Sequence, residues 1–149
     1  MINFMLLISR QGKVRLTKWY NTYAAKDKAR FIREVSGLVL SRPAKACNVV
    51  EWRDEKIVYK RYASLYFVCS IDVFHNELDA LESIQLYVET LDRYFGNVCE
   101  LDLIFNFHKA YYILDEVVVA GEIQETCKRD VLKFIAAQDA MMEDAGEAK

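Results

Sequence analysis

CNVVEWRDEKIVYKRYASLYFVCSID, residues 47–72, decides the fold. β-branched and aromatic side chains crowd three runs, roughly 47–53, 56–62 and 65–72. Val49, Val50, Ile57, Val58, Tyr59, Tyr66, Phe67 and Val68 suit a pleated, half-buried surface, so each run predicts a strand. Arg53-Asp54-Glu55 is the turn between the first two.

Upstream, residues 2–9 and 14–20 are apolar or alternating runs around Arg10-Gln11-Gly12-Lys13, which predicts a hairpin. Val14, Leu16 and Trp19 are candidates to share the core, and a period of two puts Arg15 on the face opposite Leu16. From Ala25 to Leu40, Phe31 or Ile32, Val35, Leu38 and Val39 recur at helical spacing, and Pro43 acts as a stop. Downstream, Leu78, Leu81, Ile84, Val88, Leu91 and Phe95 step by three and four residues to a break at Gly96, with Asn76 as N-cap. An apolar and aromatic stretch follows from Cys99 to Val119, then a break at Gly121 and a last helix near Lys128 to Met142. The expectation is an α+β fold: a five-stranded, mainly antiparallel sheet sandwiched between helices, in the order β-β-α-β-β-β-α with further C-terminal helices. One domain over 1–142 is expected, followed by a disordered acidic tail over 143–149.

Composition narrows the function. The chain of 149 residues is 53% hydrophobic and 28% charged, with a formal net charge of -2 and both signs scattered. No basic stripe marks a nucleic-acid surface. None of Cys47, Cys69, Cys99 and Cys127 forms a Cys-x-x-Cys pair, so buried free thiols in a reducing compartment are expected. The apolar run from Ile2 to Ile8 has no basic flank or small-residue cleavage site, and no stretch approaches the ~20 apolar residues of a membrane span. Ile2 and the absence of a C-terminal cysteine speak against myristoylation and prenylation, so membrane attachment is expected to come through partners.

Catalytic chemistry is hard to assemble. His75 and His108 have no second ligand at metal spacing, and the glycines at 12, 37, 96, 121 and 146 stand alone, which excludes a phosphate-cradling loop. Glu34, Glu51, Glu100 with Asp102, and Asp115 with Glu116 read as solvated carboxylates. No enzyme, metal site or cofactor is expected.

Three segments carry a resemblance: Gly12-Lys13-Val14-Arg15-Leu16-Thr17-Lys18-Trp19-Tyr20; Val58-Tyr59-Lys60-Arg61-Tyr62-Ala63-Ser64-Leu65-Tyr66-Phe67; and Asn97-Val98-Cys99-Glu100-Leu101-Asp102-Leu103-Ile104-Phe105-Asn106-Phe107. Together with Ala120-Gly121-Glu122-Ile123-Gln124-Glu125-Thr126, they resemble the small, or sigma, chains of heterotetrameric clathrin adaptor complexes, over Met1 to about Met142. The opening Leu6 to Arg15 is most similar to the trans-Golgi and endosomal type.

The resemblance implies a longin-like (SNARE-like) fold and a non-enzymatic part in vesicle-mediated protein transport. The implied partners are a gamma-type large chain in direct contact, a beta-type large chain, a medium chain and cargo cytoplasmic tails. Clathrin, an Arf-class GTPase and phosphoinositide membrane are reached through the complex. The implied location is cytoplasmic, peripheral on trans-Golgi and endosomal membranes and clathrin-coated vesicles.

It also implies a site for acidic dileucine signals, in which an acidic residue and three variable residues precede Leu and then Leu or Ile. The matching positions are Ala63, Leu65, Val88, Asn97, Val98 and Leu103, with Tyr62 alongside and Arg15 near the signal's acidic residue. Taken singly, Leu65, Val88, Val98 and Leu103 are ordinary core residues, Asn97 is turn chemistry and Arg15 a solvated strand residue. The aromatic run Phe105, Phe107, Tyr111 and Tyr112 is a candidate large-chain contact whose core members the sequence does not separate. A stand-alone longin-type regulatory or tethering subunit is the alternative, although no coiled-coil heptad follows the last helix.

Overall fold

Ile2–Ser9 forms strand β1, and all eight of its residues are buried. A run apolar at every position but Asn3 and Ser9 suits a strand covered on both faces. β1 is an interior strand, between β2 and the middle strand β5, in a five-stranded sheet of order β2-β1-β5-β4-β3. The other strands are β2 (Val14–Trp19), β3 (Val49–Trp52), β4 (Glu55–Tyr62) and β5 (Leu65–Asp72), and every neighbouring pair is antiparallel. The computed structural model describes residues 2–119, 122–123 and 139. The expected break at Gly121, most of the helix expected over Lys128 to Met142, and the 143–149 tail lie outside them.

Helix α1 (Ala25–Ser41) crosses between β2 and β3. Val35 and Val39 pack it against Phe4, Leu6, Ile8, Ile57, Tyr59 and Val68 on one face of the sheet. Arg42, just before Pro43, is extended at φ -80° and ψ 140°, which ends the helix because proline disfavours helical geometry in the residue before it.

Helix α2 (Glu77–Phe95) covers the other face. Its Ala80, Ile84, Tyr87, Val88 and Leu91 join Met5, Leu7, Leu16, Val58, Leu65 and Phe67 in a second cluster. Asn76 accepts a bond from the Leu78 N–H at 2.8 Å, and Gly96 closes the helix in the left-handed region at φ 66°. Leu78 departs from the expected stripe and is 66% exposed. At 3.6 residues per turn it lies about 120° around the helix from Ile84, so it points away from the sheet.

Two shorter helices follow, α3 (Glu100–Phe105) and α4 (Phe107–Val117), then a small antiparallel pair, β6 (Val118–Val119) and β7 (Glu122–Ile123). Ala110, Ile113, Leu114 and Val117 of α4 extend the α2-side cluster. The sheet therefore lies between α1 on one side and α2 with α4 on the other, as the sequence predicts.

Candidate functional site

Three turns at one end of the sheet bring the candidate residues together, and each has a local cause. The first is in the β1–β2 hairpin. Leu7 pairs with Leu16 but Ile8 pairs with Val14, which leaves Arg15 as an extra, bulged residue. The bulge overturns two expectations. Val14 packs with the α1-side cluster while Leu16 packs with the α2-side cluster, so the two do not share a core. Arg15 is not carried to the α1 side: its Nε donates to Glu100 Oε1 of α3 at 2.7 Å, with the two side chains 26% and 23% exposed. An extra residue breaks the period of two, which is why alternation misplaced it.

The second turn is Ala63-Ser64, which links Tyr62 to Leu65 in register across the β4–β5 hairpin. Ala63 is exposed and adopts φ 54°, an unusual value for a residue with a Cβ. Arg10 N–H donates to Ser64 C=O at 3.2 Å, tying this turn to the β1–β2 hairpin.

The third turn is Gly96-Asn97, two successive left-handed residues at φ 66° and 70°. Asp92 organises it. Its backbone C=O accepts from Gly96 N–H at 2.8 Å and Asn97 N–H at 3.2 Å, and its carboxylate accepts from Val98 N–H at 3.1 Å. The same carboxylate oxygen accepts from the Tyr62 hydroxyl at 2.8 Å, which fixes the end of β4 to the end of α2. That bond to Asp92 raises the Tyr62 phenol above its ordinary value.

Leu65, Val88, Val98 and Leu103 fall in one cluster, with exposures of 0%, 2%, 2% and 1%. Tyr62 packs against that cluster, while Ala63 and Asn97 are exposed. The four apolar positions thus belong to one core cluster, and in this chain they are covered. Helix α3 contributes Leu103, its one buried residue, to that cluster. Cys99 N–H donates to Asp102 Oδ2 at 2.9 Å, capping the start of α3.

Sequence reasoning missed Asp92 and Glu100. Only partners distant in sequence, Tyr62 and Arg15, set them apart from other surface acids. Two of the carboxylates read as solvated are engaged: Glu34 bridges Arg53 and Asp115 bridges Lys18, both at 2.9 Å. The aromatic run also separates. Phe105 and Phe107 are 77% and 45% exposed, whereas Tyr111 and Tyr112 pack against the core and the Tyr111 hydroxyl accepts from Thr17 N–H at 3.1 Å. Leu101 and Ile104 add exposed apolar surface beside them, at 60% and 40%. No helix among the described residues is long and apolar enough to cross a membrane.

Comparison with known proteins agrees with this architecture. The chain is 65% identical over 147 residues to AP-1 complex subunit sigma-2 of Arabidopsis thaliana, covering 99% of this chain and 91% of that one. It is 62% identical to AP-1 complex subunit sigma-2 of Dictyostelium discoideum, covering 99% and 96%. With human AP-1 complex subunit sigma-1A it shares 56% identity, covering 97% and 91%. A chain from a homology model of the full-length AP-3 complex in a stretched open conformation superposes with a TM-score of 0.77 at 28% identity, covering 99% of both. The family model for the clathrin adaptor complex small chain matches residues 1–142, and with these relatives it establishes that this chain belongs to the clathrin adaptor small-chain family.

Proposed function

We propose that this chain is the sigma subunit of an AP-1-type heterotetrameric adaptor, and that it contributes the pocket in which the complex reads acidic dileucine signals. Its work is packing and recognition, without bond-making. It sits with a gamma-type large chain, a beta-type large chain and a medium chain, peripherally on trans-Golgi and endosomal membranes. Clathrin, an Arf-class GTPase and phosphoinositide lipid act on it through the complex. The exposed Leu101, Phe105 and Phe107 supply part of its large-chain contact.

One observation supports the recognition role most directly. The Arg15 guanidinium reaches Glu100 one helical turn before Leu103, so a cation adjoins the Leu65, Val88, Val98 and Leu103 cluster. A signal needs that pairing of charge and apolar surface. Burying two leucines is worth about 3–6 kcal/mol, and a charge-assisted contact to a partly exposed arginine adds roughly 1 kcal/mol or somewhat more. After the cost of ordering an extended tail, affinity near micromolar, about -8 kcal/mol, is expected. Weak capture of this kind suits a coat that must come apart.

Val88→Asp is an obvious test, but Val88 is only 2% exposed and a carboxylate there strikes the core as well as the hollow. Ala63→Asp is sharper. Ala63 is exposed at φ 54°, a conformation aspartate tolerates, so the fold is expected to survive. The assembled complex carrying Ala63→Asp is expected to lose at least roughly tenfold affinity for a dileucine peptide by calorimetry. Unchanged affinity in an intact complex would place the signal elsewhere.

A further inference from the structure

The guanidinium offered to a signal's acidic residue already holds a carboxylate. Glu100 Oε1 sits 2.7 Å from Arg15 Nε, and both side chains are about three-quarters covered. Three residues on, Leu103 is buried with Leu65, Val88 and Val98. One short helix therefore delivers both an acid to the arginine and a leucine to the apolar cluster.

The order along α3 is Glu100, two residues, then Leu103-Ile104. That is an acidic residue followed by Leu-Ile, with one spacer fewer than the proposed signal. A helix rises only ~1.5 Å per residue against ~3.3 Å in an extended tail, so the two arrangements reach by different backbone paths. We infer that Glu100 of α3 acts as an internal stand-in for the signal's carboxylate, and that it is the specificity-determining residue that sets how strongly a cargo carboxylate is read. The inference rests on the dileucine reading above.

Helix α3 is lightly held. It has six residues, one of them buried, while Leu101, Ile104 and Phe105 are exposed. Little buried surface opposes its displacement, which places it at the low-stability end of the molecule. Its bonds between Cys99 and Asp102 lie within the helix and its cap, so they survive a movement of the whole turn. Gly96 and Asn97, both left-handed, precede it, and Asn106 at φ -126° and ψ 42° interrupts the helical path to α4.

An incoming carboxylate then exchanges with Glu100 rather than meeting a bare cation. Its electrostatic gain is the difference between two similar ion pairs. Preference for an acidic residue is blunted in the parent chain, and removing the internal competitor widens it.

The test uses the assembled complex with the full small chain, parent or Glu100→Gln. Two synthetic peptides carry the same Leu-Leu pair and differ only in Glu or Gln at the acidic position. Glu100→Gln is expected to tighten the Glu peptide roughly three- to tenfold and the Gln peptide less, and the extra gain should shrink as salt is added. On binding the Glu peptide, the parent is also expected to lose amide protection in α3. A Glu peptide that binds Glu100→Gln no better, or equal changes for both peptides, overturns the inference while the dileucine reading stands. If the parent binds neither peptide, that reading falls and this inference falls with it.

Discussion

Helices α2 and α3 sit on the same side of the sheet and are held in opposite ways. α2 has nineteen residues, a side-chain cap at its start, a left-handed glycine at its end and seven buried positions. α3 has six residues and one buried position, and it keeps an ion pair with 26% and 23% exposed partners. A long amphipathic helix draws its stability from the face it buries, whereas a single turn cannot. On the proposed reading the contrast separates scaffold from reader: α2 would supply Val88 as a fixed wall, and α3 would supply Leu103 and Glu100 on a lightly held element.

The largest test of this contrast compares two buried residues of one cluster. Ile84→Ala in α2 is expected to lower unfolding stability by roughly 3–5 kcal/mol, because the surrounding sheet and helices cannot close the cavity. Leu103→Ala is expected to cost only about 2 kcal/mol, since a short, exposed turn can settle into the space. Urea unfolding midpoints of the two variants decide it, and equal losses would mean that α3 is as firmly seated as α2.

Alkaline pH sharpens the same division. Burial pushes the Cys69 thiol beneath α2 from its ordinary 9.0 up to about 12, and burial likewise raises the Tyr87 phenol of α2 well above its ordinary 10.0. Both groups keep their protons longer in the folded chain, so the unfolded chain releases them first. Their contribution is complete below about pH 9 and is lost as pH rises toward 12, which a pH series of thermal unfolding midpoints will show. Tyr87→Phe removes the Tyr87 share of that slope, along with the hydroxyl's 2.8 Å bond to Ala110 C=O.

The smallest effect lies at the junction of the two helices. Gly96 has open space where a Cβ would point, so Gly96→Ala meets only the backbone cost of φ 66°. A loss of about 1 kcal/mol in unfolding stability is expected, with a shift in how α3 is presented to peptide. A stabilising outcome would show that the left-handed turn is not what positions α3.

Much of the fold was legible before any coordinates. Alternation and helical spacing located the five strands, α1 and α2, because each buries a regular face and leaves a period of two or 3.6. Where a residue departs from its element's period, the reading failed. Leu78 belongs to the apolar spacing of α2 but not to the face that meets the sheet, and Arg15 sits in a bulge that a count of alternating residues does not contain. The candidate site was legible only through resemblance. Leu65, Val88, Val98 and Leu103 are apolar residues of the kind every core uses, and Asn97 and Ala63 owe their placement to left-handed turns that propensity disfavours for alanine.

By itself the sequence determined the order of elements and the membership of a family, since these follow from side-chain periodicity and long colinear identity. Tertiary structure alone decided that Asp92 clamps Tyr62 to Val98, that Arg15 is held by Glu100, and that Leu103 of α3 joins Leu65, Val88 and Val98 in one buried cluster. Each of those is a meeting between residues far apart in the chain. A contact of that kind depends on how strands and helices are docked, which no local run of residues encodes.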